Sequence, residues 1–128
     1  MSKVILITGC STGIGRHLAQ RLNQLGYTVV ATARKVETLD NLTVALKLQL
    51  DVTQTNSVNQ AIALTLQQFG RIDTLVNNAG YTMLGALEEV SEEQTQRVFD
   101  VNVFGALRMI RAVVPHMREQ RLRCLYQG

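Results

Sequence analysis

The chain has 128 residues, of which 46% are hydrophobic, and this is enough for one domain with a real core. A single proline argues against disorder, and no apolar run approaches the ~20 residues of a membrane span. The net charge of +3 is mild, and no aromatic residues interleave the basic C-terminal turns, so nucleic-acid binding is not expected.

The N-terminus shows no signal-peptide pattern, and two cysteines, Cys10 and Cys124, lie in unrelated contexts. We therefore expect a cytoplasmic protein without disulfides. Cys10 fills a small-residue position, and packing explains it more simply than a redox role. The two histidines, His17 and His116, have no metal-ligand spacing, so no metal site is predicted.

The first third of the chain alternates between strand and helix patterns. Residues 3–8 predict a buried strand that enters a glycine-rich turn. A helix follows from Gly13 and ends at Gly26, and a β-branched second strand runs over 28–32. The predicted helix has one apolar stripe, formed by Ile14, Leu18, Leu22 and Leu25.

The middle of the chain repeats this alternation. Residues 35–42 predict a short helix or turn, 46–50 a third strand and 72–76 a fourth strand. Between the last two strands, residues 56–69 predict a helix that closes at Gly70. The inner face of this helix consists of Val58, Ile62, Leu66 and Phe69.

A longer helix is predicted to begin at Ser91, because Gln94 lies at capping-box spacing. Pro115 should bend or end this helix, and Gly105 within it suggests a close approach of the helix or a cofactor. The inner stripe consists of Val98, Asn102, Gly105, Met109 and Val113.

The alternation predicts an α/β fold in which the strands form a parallel sheet. We expect a single Rossmann-like domain over 1–128, with an incomplete doubly wound sheet of about four strands in the order 3-2-1-4 and flanking helices. That order places a cofactor at the carboxyl ends of strands one and four, where the winding reverses.

The turn over residues 8–15 has the spacing G-x-x-x-G-x-G. Glycines allow a tight turn and a close ligand, and the helix that follows presents free N–H groups to an anion. The turn therefore predicts a phosphate cradle, although short glycine-rich turns also arise for packing alone.

Arg34 and Lys35 follow the second strand, about 20 residues beyond the glycines. An acidic residue at this place would favour NAD, whereas an arginine favours the 2′-phosphate of NADP. The pair predicts NADP(H) in preference to NAD(H), and the alternative is a solvated strand end.

Two further segments end strands at the same edge of the predicted sheet. Asp51 can accept a hydrogen bond from adenine while Val52 contacts the ring, although Asp also commonly caps the next segment. The small and amide residues of Asn77-Asn78-Ala79-Gly80 leave room for a cofactor, although turns rich in asparagine are common.

Together the motifs T-G-x-x-x-G-x-G at 8–15, Asp51, N-N-A-G at 77–80 and V-N-V at 101–103 resemble the short-chain dehydrogenase/reductase family over residues 3 to about 118. The resemblance implies an oxidoreductase that interconverts a carbonyl and a secondary alcohol with NAD(P), for which a small molecule is the substrate and a homo-oligomer is expected. It also implies a catalytic role for Asn102, which would anchor a water in the proton relay. The cofactor residues that it implies are Gly9, Ser11, Thr12, Gly13, Ile14 and Gly15 at the pyrophosphate, Asp51 and Val52 at adenine, and Asn78, Ala79 and Gly80 at the ribose.

The chain departs from the family pattern after Arg118. The family uses a Ser, a Tyr and a Lys four residues after the Tyr, but no Tyr-x-x-x-Lys occurs in these 128 residues. We therefore expect a truncated domain that is inactive by itself. The alternative to a reductase is a non-catalytic nucleotide-binding fragment, and both descriptions can hold if a longer parent is the enzyme.

Overall fold

The computed structural model describes residues 2–80 and 89–127, with side chains as far as Arg121. Its centre is a parallel sheet of β1 (Val4–Ile7), β2 (Thr28–Ala33), β3 (Leu46–Gln49) and β4 (Thr74–Val76). The strand order is β3-β2-β1-β4, which confirms the predicted order. The direction of winding therefore reverses between β1 and β4, and their carboxyl ends leave a crevice for a ligand.

The residues of β1 alternate between the two faces of the sheet. Val4 and Leu6 belong to one apolar cluster, whereas Ile5 and Ile7 belong to a second one. All four are buried, because helices cover both faces, as parallel sheets require. This explains why the strand is a continuous apolar run rather than an alternating one.

Helix α1 (Gly13–Gln24) covers the second cluster with its middle turns, through Ala19 and the half-buried Leu18 and Leu22. The predicted apolar stripe is wrong at both ends. Ile14 is 78% exposed and Leu25 is 56% exposed, because neither belongs to the cluster on which the helix packs.

Helix α2 (Thr55–Phe69) covers the first cluster, and its predicted inner face is confirmed. Gly70 ends it in the left-handed conformation with φ of +74°. The fourth strand was predicted from Ile72, but pairing begins at Thr74. The side chain of Gln120 instead hydrogen-bonds both backbone groups of Ile72. It accepts from Ile72 N at 2.9 Å and donates to Ile72 O at 3.1 Å.

The predicted long helix consists of three consecutive segments: α3 (Glu92–Phe99), a π-helical segment (Asp100–Gly105) and α4 (Ala106–Gln127). The capping box at Ser91 is present, with both reciprocal hydrogen bonds to Gln94. Of the predicted stripe, Gly105, Met109 and Val113 are buried and Val98 is half-buried, whereas Asn102 is exposed.

Pro115 lies inside α4 and does not end it. A proline removes one backbone donor from a helix. Contacts beyond it hold the chain helical, because Met117 packs against the first cluster and Gln120 bonds Ile72. Within the described ranges, no helix is both long and apolar enough to cross a membrane.

Candidate functional site

The glycine turn joins β1 to α1 at the crevice. Thr12 is the N-cap residue of α1, and its side chain makes no capping hydrogen bond. Gly13 has φ of +62°, and a Cβ atom there would meet no heavy atom within 4 Å. The first amides of the helix thus have no cap from the Thr12 side chain, and uncapped amides at the start of a helix can bind an anion.

The other two glycines serve a different purpose, because they pack against the loop after β4. A Cβ atom on Gly9 would lie 2.8 Å from Ala79 Cα, and one on Gly15 would lie 2.3 Å from Asn78 Nδ2. Side chains at either position would push the two loops apart. Packing against the loop after β4 therefore accounts for the absence of a side chain at Gly9 and Gly15, whereas the left-handed φ accounts for the glycine at Gly13.

Thr8 holds the same two loops together, a role that the sequence analysis missed. Its hydroxyl accepts from Asn78 N at 3.0 Å and from Ala79 N at 2.9 Å, and it is buried. The Asn78 side chain in turn donates to Gly9 O at 3.0 Å. The only sequence signal was a hydroxyl residue directly before the first glycine.

A cleft of about 920 Å³ opens at the carboxyl ends of the strands. It brings together nine of the residues predicted for the cofactor: Gly9, Ser11, Thr12, Arg34, Asp51, Val52, Asn78, Ala79 and Gly80. The other predicted residues are not part of its lining, namely Gly13, Ile14, Gly15, Lys35 and Asn102.

One wall of the cleft belongs to the helical segment after Ser91, of which the sequence predicted only Asn102 for the site. The lining residues recur three to four positions apart, on one face: Glu93, Gln96, Arg97, Asp100 and Val101. This spacing was visible in the sequence. It could not identify the site, because polar residues at helical spacing are also typical of a solvated face.

The loop after β3 supplies Asp51 and Val52. One carboxylate oxygen of Asp51, Oδ1, accepts from Thr53 N at 3.0 Å and from Thr53 Oγ1 at 2.6 Å. This oxygen stabilises the local turn, as the capping alternative anticipated. A carboxylate has a second oxygen for another donor. Val52 is buried and reaches the cleft.

The basic pair after β2 is exposed, and only Arg34 lines the cleft. Lys35 instead begins a 3₁₀ helix (Val36–Leu39), and its carbonyl oxygen accepts from the Thr38 hydroxyl at 2.7 Å. Of the basic pair, only Arg34 therefore contributes a guanidinium to the cleft.

Asn102 lies in the π-helical segment, near the end of the N-N-A-G turn. A Cβ atom on Gly80 would be 3.5 Å from Asn102 Oδ1. The helix approaches the site closely at Gly105, where a Cβ atom would come within 2.5 Å of Val52 Cγ2. The close approach expected at Gly105 is therefore between the helix and the loop that contains Val52.

Cys10 is fully buried in the glycine turn, and its thiol donates to Ile7 O at 3.4 Å. Burial raises the pKa of Cys10 to about 11, against a smaller lowering by the hydrogen bond with the Thr32 backbone. Such a thiol stays protonated, so its role is packing. In the described part of the chain, no three His, Cys, Asp or Glu side chains are grouped as metal ligands.

Comparison with known proteins identifies the family. The sequence model described as short chain dehydrogenase matches residues 3–122. The chain belongs to the short-chain dehydrogenase family. Its members use a nicotinamide cofactor, and the fold and crevice of this chain agree with that membership.

A 3-ketodihydrosphingosine reductase from Bacteroides thetaiotaomicron is 41% identical over 119 residues, which cover 93% of this chain and 44% of that protein. Retinol dehydrogenase 8 from Homo sapiens is 43% identical over 134 residues, which cover 93% of this chain and 41% of that protein. The chain thus spans less than half the length of these short-chain dehydrogenase relatives.

Among solved structures, a 3-ketoacyl-(acyl-carrier-protein) reductase from Brucella melitensis, complexed with NADH, matches with a TM-score of 0.89. It is 33% identical, and the match covers 94% of this chain and 52% of that chain. The four-stranded sheet and its helices therefore correspond to about half of that reductase structure.

Proposed function

We propose that this chain binds NADP(H), in preference to NAD(H), as the nucleotide-binding part of an oxidoreductase that interconverts a carbonyl and a secondary alcohol. The observation that carries the proposal is the cleft, because the glycine turn, Arg34 and the loop of Asp51 and Val52 all line it. When bound, the nicotinamide supplies or accepts the hydride, and the protein binds and orients the reactants.

The residues present fit such a cofactor. Ser11, Thr12 and the open backbone at Gly13 would hold the pyrophosphate, since the first amides of α1 lack a side-chain cap. Gly15 and Ile14 would contribute through the backbone of the same helix start. Asp51 and Val52 would hold the adenine.

The ribose side would be formed by Asn78, Ala79 and Gly80, which line the cleft beside the glycine turn. Asn102 would act next to them, since its Oδ1 lies near Gly80. Its proposed task is to fix a water for proton transfer. The substrate would be a small carbonyl compound or alcohol.

The preference for NADP rests on Arg34. The Brucella relative was solved with NADH, so family membership does not decide between the two cofactors. A guanidinium pairs bidentately with a phosphate, and Arg34 lines the cleft with its side chain exposed. Lys35 adds a second positive charge next to it.

The test is a pair of fluorescence titrations of the 128-residue chain with NADPH and NADH. We expect tighter binding of NADPH, and Arg34→Asp should reverse the order, since a carboxylate repels phosphate and accepts from a 2′-hydroxyl. Arg111→Asp, which changes the net charge equally on an exposed part of α4, is the control and should keep the wild-type order. Equal affinities of both cofactors for wild type and Arg34→Asp would refute the preference.

We also propose that the 128-residue chain binds the cofactor without turnover. The sequence contains no Tyr-x-x-x-Lys, so the proton donor that the family uses is missing from it. The test is NADPH oxidation by the purified chain with a panel of ketones and aldehydes. Turnover that Asn102→Ala abolishes would contradict this proposal, and a flat absorbance with measurable NADPH binding would support it.

Self-association and a cytoplasmic location complete the proposal. β4 forms one edge of the sheet, and the helical segment after Ser91 exposes Phe99, Phe104 and Ile110. Open edges and exposed apolar side chains favour association with a second copy. Sedimentation at several concentrations tests this, and a monomer at all of them would contradict it.

A further inference from the structure

The Asp51–Val52 loop directly follows the last sheet hydrogen bond, from Leu50 N to Ala33 O at 2.8 Å, and the helix that crosses the loop contacts it. β3 ends at Gln49, so the loop lies beyond the last strand pairing. The helix contacts the loop closely at Gly105, where a Cβ atom would lie 2.5 Å from Val52 Cγ2. The absence of a side chain at Gly105 therefore lets the helix backbone touch Val52.

Arg108 fixes the same residue from a second direction. Its Nη1 donates to the carbonyl oxygen of Val52 at 3.2 Å and to Oδ1 of Asp100 at 3.0 Å. Its side chain is 29% exposed, so it is half-buried between the loop and the helix. One nitrogen thus joins Asp100 in the cleft wall to Val52, which lies 56 positions before Arg108 in the chain.

Two amides of the loop form hydrogen bonds on its other side. Asp51 N donates to Ser57 Oγ at 2.9 Å, and Thr53 N donates to Asp51 Oδ1 at 3.0 Å. The loop is therefore held from two sides. On one side α2 bonds it through Ser57, and on the other the π-helical segment contacts it at Gly105 and α4 bonds it through Arg108. The Arg108 bond sets the position of the Val52 carbonyl relative to the opposite wall.

We propose that Arg108 is a positioning residue that holds the Asp51–Val52 loop at the spacing that an adenine ring requires. This inference rests on the proposed function, because it assumes that the cleft takes a nicotinamide dinucleotide. Arg108 contacts the loop backbone and Asp100, and its role is to fix the distance between the loop and the cleft wall that contains Asp100.

The test compares Arg108→Met with Arg111→Met, an equal change at an exposed arginine of the same helix. We expect Arg108→Met to weaken NADPH and NADH binding alike, by roughly tenfold, since a hydrogen bond from a charged donor is lost and the adenine is common to both cofactors. The NADPH to NADH ratio should stay unchanged, in contrast to Arg34→Asp. Arg108→Lys keeps a cationic donor and should lose less affinity, and Arg111→Met should lose none.

Hydrogen exchange measured without cofactor separates the role of Arg108 from a general loosening. In Arg108→Met the amides of residues 51–54 should exchange faster, while those of β1 should keep the wild-type rate. Unchanged exchange at 51–54, or unchanged affinity in a wild type that binds, would overturn the positioning role and leave the proposed function intact. A wild type that binds neither cofactor would overturn both.

Discussion

Gly15 and Asn78 are in such close contact that a Cβ atom on Gly15 would lie 2.3 Å from the Asn78 side-chain nitrogen. The same nitrogen donates to Gly9 O at 3.0 Å, and the Gly15 Cβ would also lie 2.5 Å from that oxygen. The start of α1 thus packs directly against the loop after β4. The glycine spacing of the turn is therefore set in part by this contact between two loops.

Gly15→Ala should destabilise the chain, because the added methyl group must displace either the Asn78 amide or the turn backbone. The expected loss is about 1–3 kcal/mol in the free energy of unfolding, measured by denaturant titration. Gly80→Ala is the matched control, since its Cβ would meet only an ordinary contact of 3.5 Å with Asn102 Oδ1.

A double-mutant cycle makes the Gly15 prediction specific. Asn78→Ala removes the closest atom, so Gly15→Ala should cost less in that background. If the cost of Gly15→Ala is the same with and without Asn78, the contact with the amide is not its cause.

Thr8→Val should also destabilise the chain, although valine has nearly the shape of threonine. The hydroxyl of Thr8 accepts from Ala79 N at 2.9 Å, and the threonine is only 1% exposed. Without it, that amide loses its acceptor, at a cost of about 1–3 kcal/mol in the free energy of unfolding. Thr8→Ser keeps the hydroxyl and should lose less, and equal stability of Thr8→Val and wild type would contradict the hydrogen bond.

The sheet could be predicted because β1 and β2 are short runs of apolar or β-branched residues, β3 alternates leucine with polar residues, and each is followed by a turn signal. β1 is the clearest case, since it is apolar throughout and leads into glycines. The predicted start of β4 and end of α4 were wrong because side chains distant in the sequence contact those segments. The Gln120 side chain hydrogen-bonds the backbone of Ile72, which lies 48 residues away, and no local sequence pattern predicts a hydrogen bond over that separation. The packing of Met117 and Gln120 likewise keeps α4 intact past Pro115.

The sequence predicted the strand-end side of the cleft, but from the helical segment opposite it predicted only Asn102, which is not part of the lining. Its strand-end residues, such as Asp51 and Arg34, follow from the rule that ligands bind where the winding reverses. The wall that contains Glu93 and Asp100 was missed, because it depends on how the helix crosses the sheet. That crossing is fixed by Gly105 against Val52, a contact between residues far apart in the sequence.

Asp73 should make the stability of the chain depend on pH in the acid range. Burial acts to raise the pKa of Asp73, but hydrogen bonds from Arg71 and the Val4 amide, with the nearby charges of Arg71 and Lys3, lower it below its ordinary 3.8. The Val4 amide donates to the carboxylate at 2.8 Å.

The sign of the effect follows from proton binding. Below its ordinary value of 3.8 the unfolded Asp73 binds more protons than the folded one, so its stabilisation is present above that pH and is lost as the pH falls through the folded pKa. In urea titrations between about pH 2 and 5, Asp73→Asn should reduce the acid loss of stability, and Arg71→Met should reduce it too. If Asp73→Asn loses as much stability at low pH as the wild type does, the Asp73 carboxylate is not the cause of that loss.

Cys10 should be unreactive in the folded chain. Burial raises its pKa from 9.0 to about 11, so the folded thiol carries roughly a hundredfold less thiolate than an unfolded one at pH 8. In a Cys124→Ser background, iodoacetamide should therefore modify the native chain at least ~100-fold more slowly than the chain in urea. Because the folded pKa is raised, the thiol should also lower the free energy of unfolding as the pH rises from 9.0 to about 11, and Cys10→Ala should remove that alkaline slope. Rapid alkylation of the native chain at pH 8 would instead mean that the glycine turn opens often enough to expose Cys10, and the packing role assigned to it would then be wrong.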